Sequence, residues 1–288
     1  MSVTGYTHLA AIIGDPVRHS LSPVMHNAAF AAAGLDWLFV ALPVERGAGA
    51  RAMEAIRALG IEGLSVTMPH KADAASSCDE LRGDAARLRS VNCVSRGEGG
   101  TLVGESTDGE GFLRSLRESG HEPAGAAALV LGAGGAARAV VLALARAGAR
   151  VTVAARRPEA AAEATALASG IDSVGWDAVG DAARSSDLIV NATPIGMGDA
   201  APGEEPARLP VEGADLRAGQ VVADLVYHPR RTPFLELADA RGAATVEGVG
   251  MLVHQGAIAF ERWTATPAPV TVMRDAVLGA LAGRHPSP

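Results

Sequence analysis

The hexapeptide Gly132-Ala133-Gly134-Gly135-Ala136-Ala137 fits the pattern G-x-G-x-x-A, and its surroundings supply the context that a bare glycine pattern lacks. Ala128 to Leu131 reads as a buried strand before it, an apolar helix then runs to Gly148, and Val151 to Ala154 reads as the next strand. In such a βαβ unit Gly132 makes the tight turn, Gly134 lets the backbone approach a pyrophosphate, and Ala137 permits close packing of helix on strand. The helix N-terminus adds free N–H groups and partial positive charge, an anion site built of backbone. Arg156 and Arg157 follow the second strand, where a site for NAD usually offers a carboxylate to the ribose 2′-hydroxyl; the first acid here is Glu159. Paired guanidinium N–H groups suit a 2′-phosphate instead, so the expected dinucleotide is NADP(H).

A second stretch, "GLSVTMPHKADA" from Gly63 to Ala74, pairs a strand-like pattern with a cation. Leu64, Val66 and Met68 alternate with Ser65 and Thr67, which predicts a strand over Leu64 to Met68, and Pro69 has no N–H with which to continue a ladder. The chain must leave the sheet there. Strand ends are where open α/β sheets bind ligands, so Thr67 and Lys71 would stand at the rim of a crevice. Taken alone, a lysine just past a strand is more often solvated surface.

The elements that must hold these residues alternate along the chain. His8 to Ile13 reads as a strand; Ser22 as N-cap, Pro23 at the first helical position and Gly34 as the stop delimit a helix. Trp37 to Leu42 is the next strand, Ala50 to Leu59 a helix ending at Gly60, and Asp79 to Leu88 is expected to be helical. "SVNCVSRGEGGTLVGE" reads as two strands around a glycine turn, and lacks the following helix that a nucleotide loop needs. A second alternating run extends from about Ala126 to Glu247, interrupted by a loop from Gly196 to Pro210, and helices are expected over Gly250 to Trp263 and Thr271 to Leu281. Strands alternating with helices imply parallel or mixed sheets covered on both faces.

A chain of 288 residues with 48% hydrophobic and 20% charged residues has the make-up of a globular protein, long enough for two domains. Its net charge of −7 argues against nucleic acid or an anionic membrane as partner, and no stretch reaches membrane-spanning length. Any anion must therefore meet a local positive site. Cys78 and Cys93 show neither metal-ligand spacing nor a disulfide framework and read as reduced thiols, consistent with the cytoplasm. His19, His26, His70, His228 and His254 recur beside the motifs without a metal partner at ligand spacing, so no metal is expected and structural roles are assigned to them.

The order "GDPVRHSLSPVMHN", "SVTMPHK", "SVNCV", "STDGEGF", "GAGGAARA", "NATPIGM", "DLVYHP" and "GVGMLVHQGAIAFERW", spread over nearly the whole chain, resembles the shikimate dehydrogenase family. The resemblance implies an N-terminal α/β substrate domain at 1–108, a doubly wound Rossmann-type NADP-binding domain at 109–249, and C-terminal helices at 250–288 that return to the substrate domain. It implies NADPH-dependent reduction of 3-dehydroshikimate to shikimate, a step of chorismate and aromatic amino acid biosynthesis. Carried over position by position, it makes Lys71 and Asp108 the catalytic pair and Ser20, Ser22, Thr67, Asn92, Tyr227 and Gln255 substrate contacts. By the same resemblance Gly132, Ala133, Gly134, Gly135, Ala136 and Arg156 contact the cofactor and Leu225 and Gly248 line the nicotinamide pocket, and Arg157 and Thr193 are further cofactor candidates. A small-molecule partner and a monomer or homodimer are expected. Two departures stand out: Ser106-Thr107-Asp108 stands where the family usually has Asn-Thr-Asp, and Ala155-Arg156-Arg157 where it usually has Asn-Arg-Thr, exchanging a neutral adenosine contact for extra charge.

The chemistry suits these residue types. Hydride delivered to a ketone carbon leaves negative charge on oxygen, which needs a donor able to surrender a proton, and a lysine does both. A neighbouring carboxylate favours the ammonium form and fixes its direction. Ser20 and Ser22 flank a helix N-terminus, so two hydroxyls and the helix end could hold the substrate carboxylate, although Ser22 serves equally well as a cap. Asn92 in a buried segment wants polar partners in either case, and Tyr227 and Gln255 could simply hydrogen-bond within the structure. The alternatives are a quinate/shikimate or aminoshikimate dehydrogenase and, in another class, a silent NADP-sensing module of the same fold, which fold alone would not separate.

Overall fold

In the computed structural model residues 3–198 and 207–283 are described. The chain divides into two compact units, one taking in the residues up to Thr107 together with those from Val253 onward, the other Asp108–Leu252. Among the described residues no helix is long and apolar enough to cross a membrane.

The first unit runs β1 (His8–Gly14), α1 (Ser22–Ala32), β2 (Trp37–Pro43), α2 (Gly49–Leu59), β3 (Gly63–Val66), α3 (Lys71–Ser77), β4 (Glu80–Leu81), α4 (Ala85–Leu88), β5 (Cys93–Arg96) and β6 (Leu102–Glu105). Its sheet has the order β2-β1-β3-β5-β6-β4. β1 is parallel to β2 and β3, whereas β5 is antiparallel to both β3 and β6. Side chains alternate across the sheet, and each face has its own core. Ile13, Leu64 and Val66 pack with Met53 and Ile56 of α2 and Ala74 of α3 on one face. On the other, Phe39 of β2 meets His26 of α1, and Phe30 of α1 meets Trp37.

The second unit continues with α5 (Asp108–Glu118), β7 (Ala127–Leu131), α6 (Gly135–Arg146), β8 (Arg150–Ala154), α7 (Pro158–Thr165), β9 (Ile171–Val174), α8 (Val179–Arg184), β10 (Leu188–Asn191), β11 (Val221–Asp224), α9 (Pro233–Asp239) and β12 (Ala244–Val246). Every strand pairing in this sheet is parallel and the order is β12-β11-β10-β7-β8-β9. That is the doubly wound Rossmann order, whose direction of winding reverses between β7 and β10. Leu129, Leu131, Ile189 and Val222 fill its core with Phe234 and Leu235 of α9. α10 (Gly248–Thr264) begins in this unit and ends in the first, where α11 (Val270–Ala282) follows and Phe260 and Trp263 complete the aromatic core.

Three expectations need correction. Residues 79–88 are not one helix: Leu102 donates its N–H to the Asp79 carboxylate and Arg82 its N–H to the Gly104 carbonyl, so long-range pairing draws Glu80–Leu81 into the sheet and leaves only Ala85–Leu88 helical. The strand expected to reach Met68 stops at Val66. Ser22 is not the N-cap of α1 but its first residue; Leu21 occupies the cap position and no side chain caps there. A turn closed by the Ser20 N–H on the Val17 carbonyl instead brings the Ser20 hydroxyl to accept the Ser22 N–H at 3.2 Å.

Candidate active site and cofactor site

In the first unit, topology carries most of the candidate substrate residues to one edge of the sheet. The segments after β1 (Ser20, Ser22) and after β3 (Thr67, Lys71) leave the same edge because those strands are parallel neighbours with Ile13 opposite Val66. β5 runs the other way, so the residue just before it, Asn92, lies at that same edge, and its carbonyl accepts the Val66 N–H at 2.8 Å. β6 reverses again and delivers Thr107 there. Thr67 is fixed by its N–H on the Ile13 carbonyl, and Lys71, partly exposed, opens α3 with its own carbonyl taken by the Val91 N–H. His70 beside it is fully buried, its Nε2 2.7 Å from the Val44 carbonyl.

Asn92 is the hub of this edge. Its Oδ1 accepts the Thr107 N–H at 2.7 Å, while its Nδ2 donates to the Thr107 hydroxyl at 2.9 Å and to Gln255 Oε1, from α10, at 3.3 Å. With Asn92 at 5% and Thr107 at 3% exposure, these bonds are made away from bulk water. Asp108 is the next residue after Thr107 and the first of α5, so fixing the Thr107 amide fixes where the carboxylate starts. Ser22 is buried and Ser20 half-buried.

In the second unit, the candidate cofactor residues all follow the carboxyl ends of parallel strands: Gly132 to Ala136 after β7, Arg156 and Arg157 after β8, Thr193 after β10, Leu225 after β11 and Gly248 after β12. Tyr227 also stands here, in the segment after β11. Gly132 has φ +111°, a value that side chains strongly disfavour, and a Cβ there would come 3.0 Å from the Ala192 carbonyl and 3.2 Å from the Thr193 methyl. The turn after β7 thus leans on the turn after β10, across the point where the winding reverses. Gly248 is equally constrained, since a Cβ would lie 2.6 Å from the carbonyls of both Leu225 and Val226. Gly134 is the N-cap of α6, leaving the helix N–H groups open to an anion. Among the described residues neither Arg156 nor Arg157, both exposed, meets a carboxylate, whereas Arg138 of α6 bonds Glu163 of α7 at 2.7 Å. These features fit a dinucleotide with a 2′-phosphate.

A family model described as the shikimate dehydrogenase substrate binding domain matches residues 12–94, and one described as the shikimate 5′-dehydrogenase C-terminal domain matches 248–278. A third, "NADP oxidoreductase coenzyme F420-dependent", matches 128–212. Among curated proteins, "Shikimate dehydrogenase (NADP(+))" of Methanopyrus kandleri is 46% identical, over 96% of this chain and 97% of its own. The chain belongs to the shikimate dehydrogenase family. Among solved structures, a shikimate dehydrogenase in complex with NADP+ superposes with a TM-score of 0.88 at 36% identity, covering 97% of this chain and 98% of its own. Shikimate 5-dehydrogenase from Thermus thermophilus, in complex with NADP(H) and shikimate, gives 0.84 at 35% identity, covering 95% and 99%.

Shikimate dehydrogenase motifs in this chain also contain residues that single-residue reading passes over. In "NATPIGM" Asn191 donates from Nδ2 to Asp224 Oδ1 (2.8 Å) and the Ile195 carbonyl (3.0 Å), and its Oδ1 accepts from the Thr193 N–H (3.0 Å) and hydroxyl (2.7 Å). In "DLVYHP" Asp224 also accepts from the Val226 N–H at 3.0 Å and the Thr232 hydroxyl at 2.7 Å. Burial pushes the Asp224 carboxyl up to about 6, and the three hydrogen bonds oppose that rise. A polar residue closing each of two apolar strands, Asn191 and Asp224, is the visible signal; their being opposite one another in register is not.

Proposed function

We propose that this protein catalyses the NADP-dependent interconversion of 3-dehydroshikimate and shikimate. The observation that carries the reading is the gathering of Ser20, Ser22, Thr67, Lys71, Asn92 and Gln255 on one edge of the first unit, with Asn92 bonded to both Gln255 and Thr107. The doubly wound second unit, with its open α6 N-terminus and exposed arginines after β8, supports the cofactor half of it.

Reduction adds a hydride to the carbonyl carbon and a proton to its oxygen. Bound NADPH supplies the hydride. Lys71 supplies the proton from its ammonium as charge builds on oxygen, and in the reverse direction neutral Lys71 takes the hydroxyl proton. Asp108 directs the ammonium and accepts a hydrogen bond from a substrate hydroxyl. Ser20 and Ser22 donate to the substrate carboxylate, and Thr67, Asn92, Tyr227 and Gln255 hold the ring hydroxyls. Paired with hydroxyl-rich ligands in this way, buried amides reject analogues that lack a hydroxyl. A cytoplasmic location and a monomeric or homodimeric state belong to the same proposal.

An absorbance assay of the purified protein with shikimate or quinate against NADP or NAD tests it. Shikimate with NADP is expected to be the preferred pair. Preference for quinate with NAD would instead make the protein a quinate/shikimate dehydrogenase, and no turnover with any pair would leave only nucleotide binding.

A further inference from the structure

Gly14 closes β1 at the edge where the candidate substrate residues gather, and its backbone is held from both sides. The Thr67 N–H bonds the Ile13 carbonyl at 3.0 Å and the Asp15 N–H bonds the Met68 carbonyl at 2.9 Å, bracketing Gly14, whose own carbonyl accepts the Val44 N–H at 3.1 Å. Its φ lies outside the left-handed region, so space rather than backbone freedom calls for glycine. A Cβ at this position would run into the Thr67 methyl and would come 3.1 Å from the Met68 carbonyl. The Thr67 methyl thus occupies the place that a side chain on residue 14 would need. Among the described residues the half-buried Thr67 side chain makes no hydrogen bond, which leaves its hydroxyl open to a ligand. Hydroxyl and methyl share one Cβ, and a threonine side chain turns about χ1 in steps of about 120°. A methyl displaced from Gly14 therefore carries the hydroxyl away with it, and the bracketing bonds keep the backbone from yielding instead.

We propose that Gly14 is a positioning residue for the substrate: the side chain it lacks gives the Thr67 methyl its seat, and that seat aims the Thr67 hydroxyl at a substrate hydroxyl. The proposal rests on the reading of Thr67 as a contact for the ring hydroxyls of shikimate. Gly14 acts on the substrate through Thr67, so its effect depends on what Thr67 carries. Thr67→Ser removes the methyl and keeps the hydroxyl, whereas Thr67→Val keeps the methyl and removes the hydroxyl. The two variants separate the aiming of a hydroxyl from the packing of a methyl.

The test introduces Gly14→Ala into wild type, Thr67→Ser and Thr67→Val, and reads shikimate KM and kcat at saturating NADP, NADP affinity by calorimetric titration, and melting temperature. In wild type, Gly14→Ala should raise shikimate KM about tenfold, as loss of one hydrogen bond to substrate predicts, with a smaller change in kcat, unchanged NADP affinity and a lower melting temperature. In Thr67→Ser the same substitution should change KM by less than about twofold, because no methyl is displaced. In Thr67→Val it should lower the melting temperature again and leave KM unchanged, because no hydroxyl remains to be turned away. The approach to the Met68 carbonyl is common to the three backgrounds and cancels between them. A KM rise of equal size in all three, or a lower melting temperature with unchanged KM in wild type, overturns the proposal. Should Gly14→Ala alone be insoluble, its combination with Thr67→Ser should be soluble and share the KM of Thr67→Ser; insolubility or a raised KM there overturns the proposal as well. Failure of the underlying reading shows separately, as Thr67→Val that matches wild type in shikimate KM or as wild type that does not oxidise shikimate, and removes the proposal with it.

Discussion

Lys71 has no substitute of its kind at the substrate edge, since the other candidates there are hydroxyls and amides that cannot deliver a proton to a developing alkoxide at neutral pH. Lys71→Met keeps the stem and removes the cation, so turnover should fall by roughly 10²–10⁴-fold while NADP affinity and the melting temperature stay near wild type. Near-normal turnover in soluble, folded variant would remove Lys71 from the mechanism. His26 tests the opposite kind of residue, one that chemistry leaves alone. Its ring stacks on Phe39 at 4.6 Å between centroids, neither nitrogen has a hydrogen-bond partner among the described residues, and burial lowers its pKa from 6.5 to about 3. The folded chain keeps the ring neutral while the unfolded chain protonates it below 6.5; its contribution to stability is therefore complete above 6.5 and is lost as pH falls toward about 3. His26→Leu should flatten that loss, which urea midpoints at about pH 7 and about pH 5 would reveal; parallel losses in both proteins would mean that other groups govern acid unfolding.

At the scale of elements, the correction at α1 changes what its two serines predict. Ser20 accepts the first helical N–H and is a candidate for the substrate carboxylate, whereas Ser22 is buried and caps nothing. Ser20→Ala should weaken shikimate binding and cost about 0.5–1.5 kcal/mol of stability through the lost bond from the Ser22 N–H, while Ser22→Ala should weaken shikimate with little change in melting temperature. Stability losses without any change in shikimate affinity would make both residues structural. The βαβ unit from Ala127 to Ala154 is legible in the sequence because it is local: period, glycine turn and helix all lie within one continuous stretch. The N-cap of α1 is misread by one position, Ser22 for Leu21, and the Ser20–Val17 turn, not residue preference, decides which hydroxyl reaches the helix end. Residues 79–88 are misread because their partners, Leu102 and Gly104, are remote. The knot around Asp224 is illegible for the same reason, its amide partner Asn191 being 33 residues away and brought opposite only by strand register.

For the molecule as a whole, the net charge of −7 repels the anions it is read as binding, so attraction has to be arranged locally. Ion pairing consumes many of its arginines, among them Arg57 with Asp79, Arg138 with Glu163 and Arg230 with Glu247. Arg156 and Arg157 are left without a carboxylate among the described residues, at the end of β8 where the adenosine ribose of a dinucleotide lies in this fold. Only the 2′-phosphate distinguishes NADP from NAD, and a guanidinium meets it with paired N–H groups. Replacing both arginines with alanine should weaken NADP by about 10–100-fold and leave NAD nearly unchanged. Of the two, Arg156 should dominate, by its match to the family's arginine. Raising salt should shrink the wild-type preference for NADP, because both charges are exposed and their attraction for the 2′-phosphate is screened. Affinities of the single and double variants for both cofactors, at low and high salt, decide the matter. Equal losses for NADP and NAD would show that the arginines serve the shared pyrophosphate or the fold, and the preference for NADP would then have to come from elsewhere in the second unit.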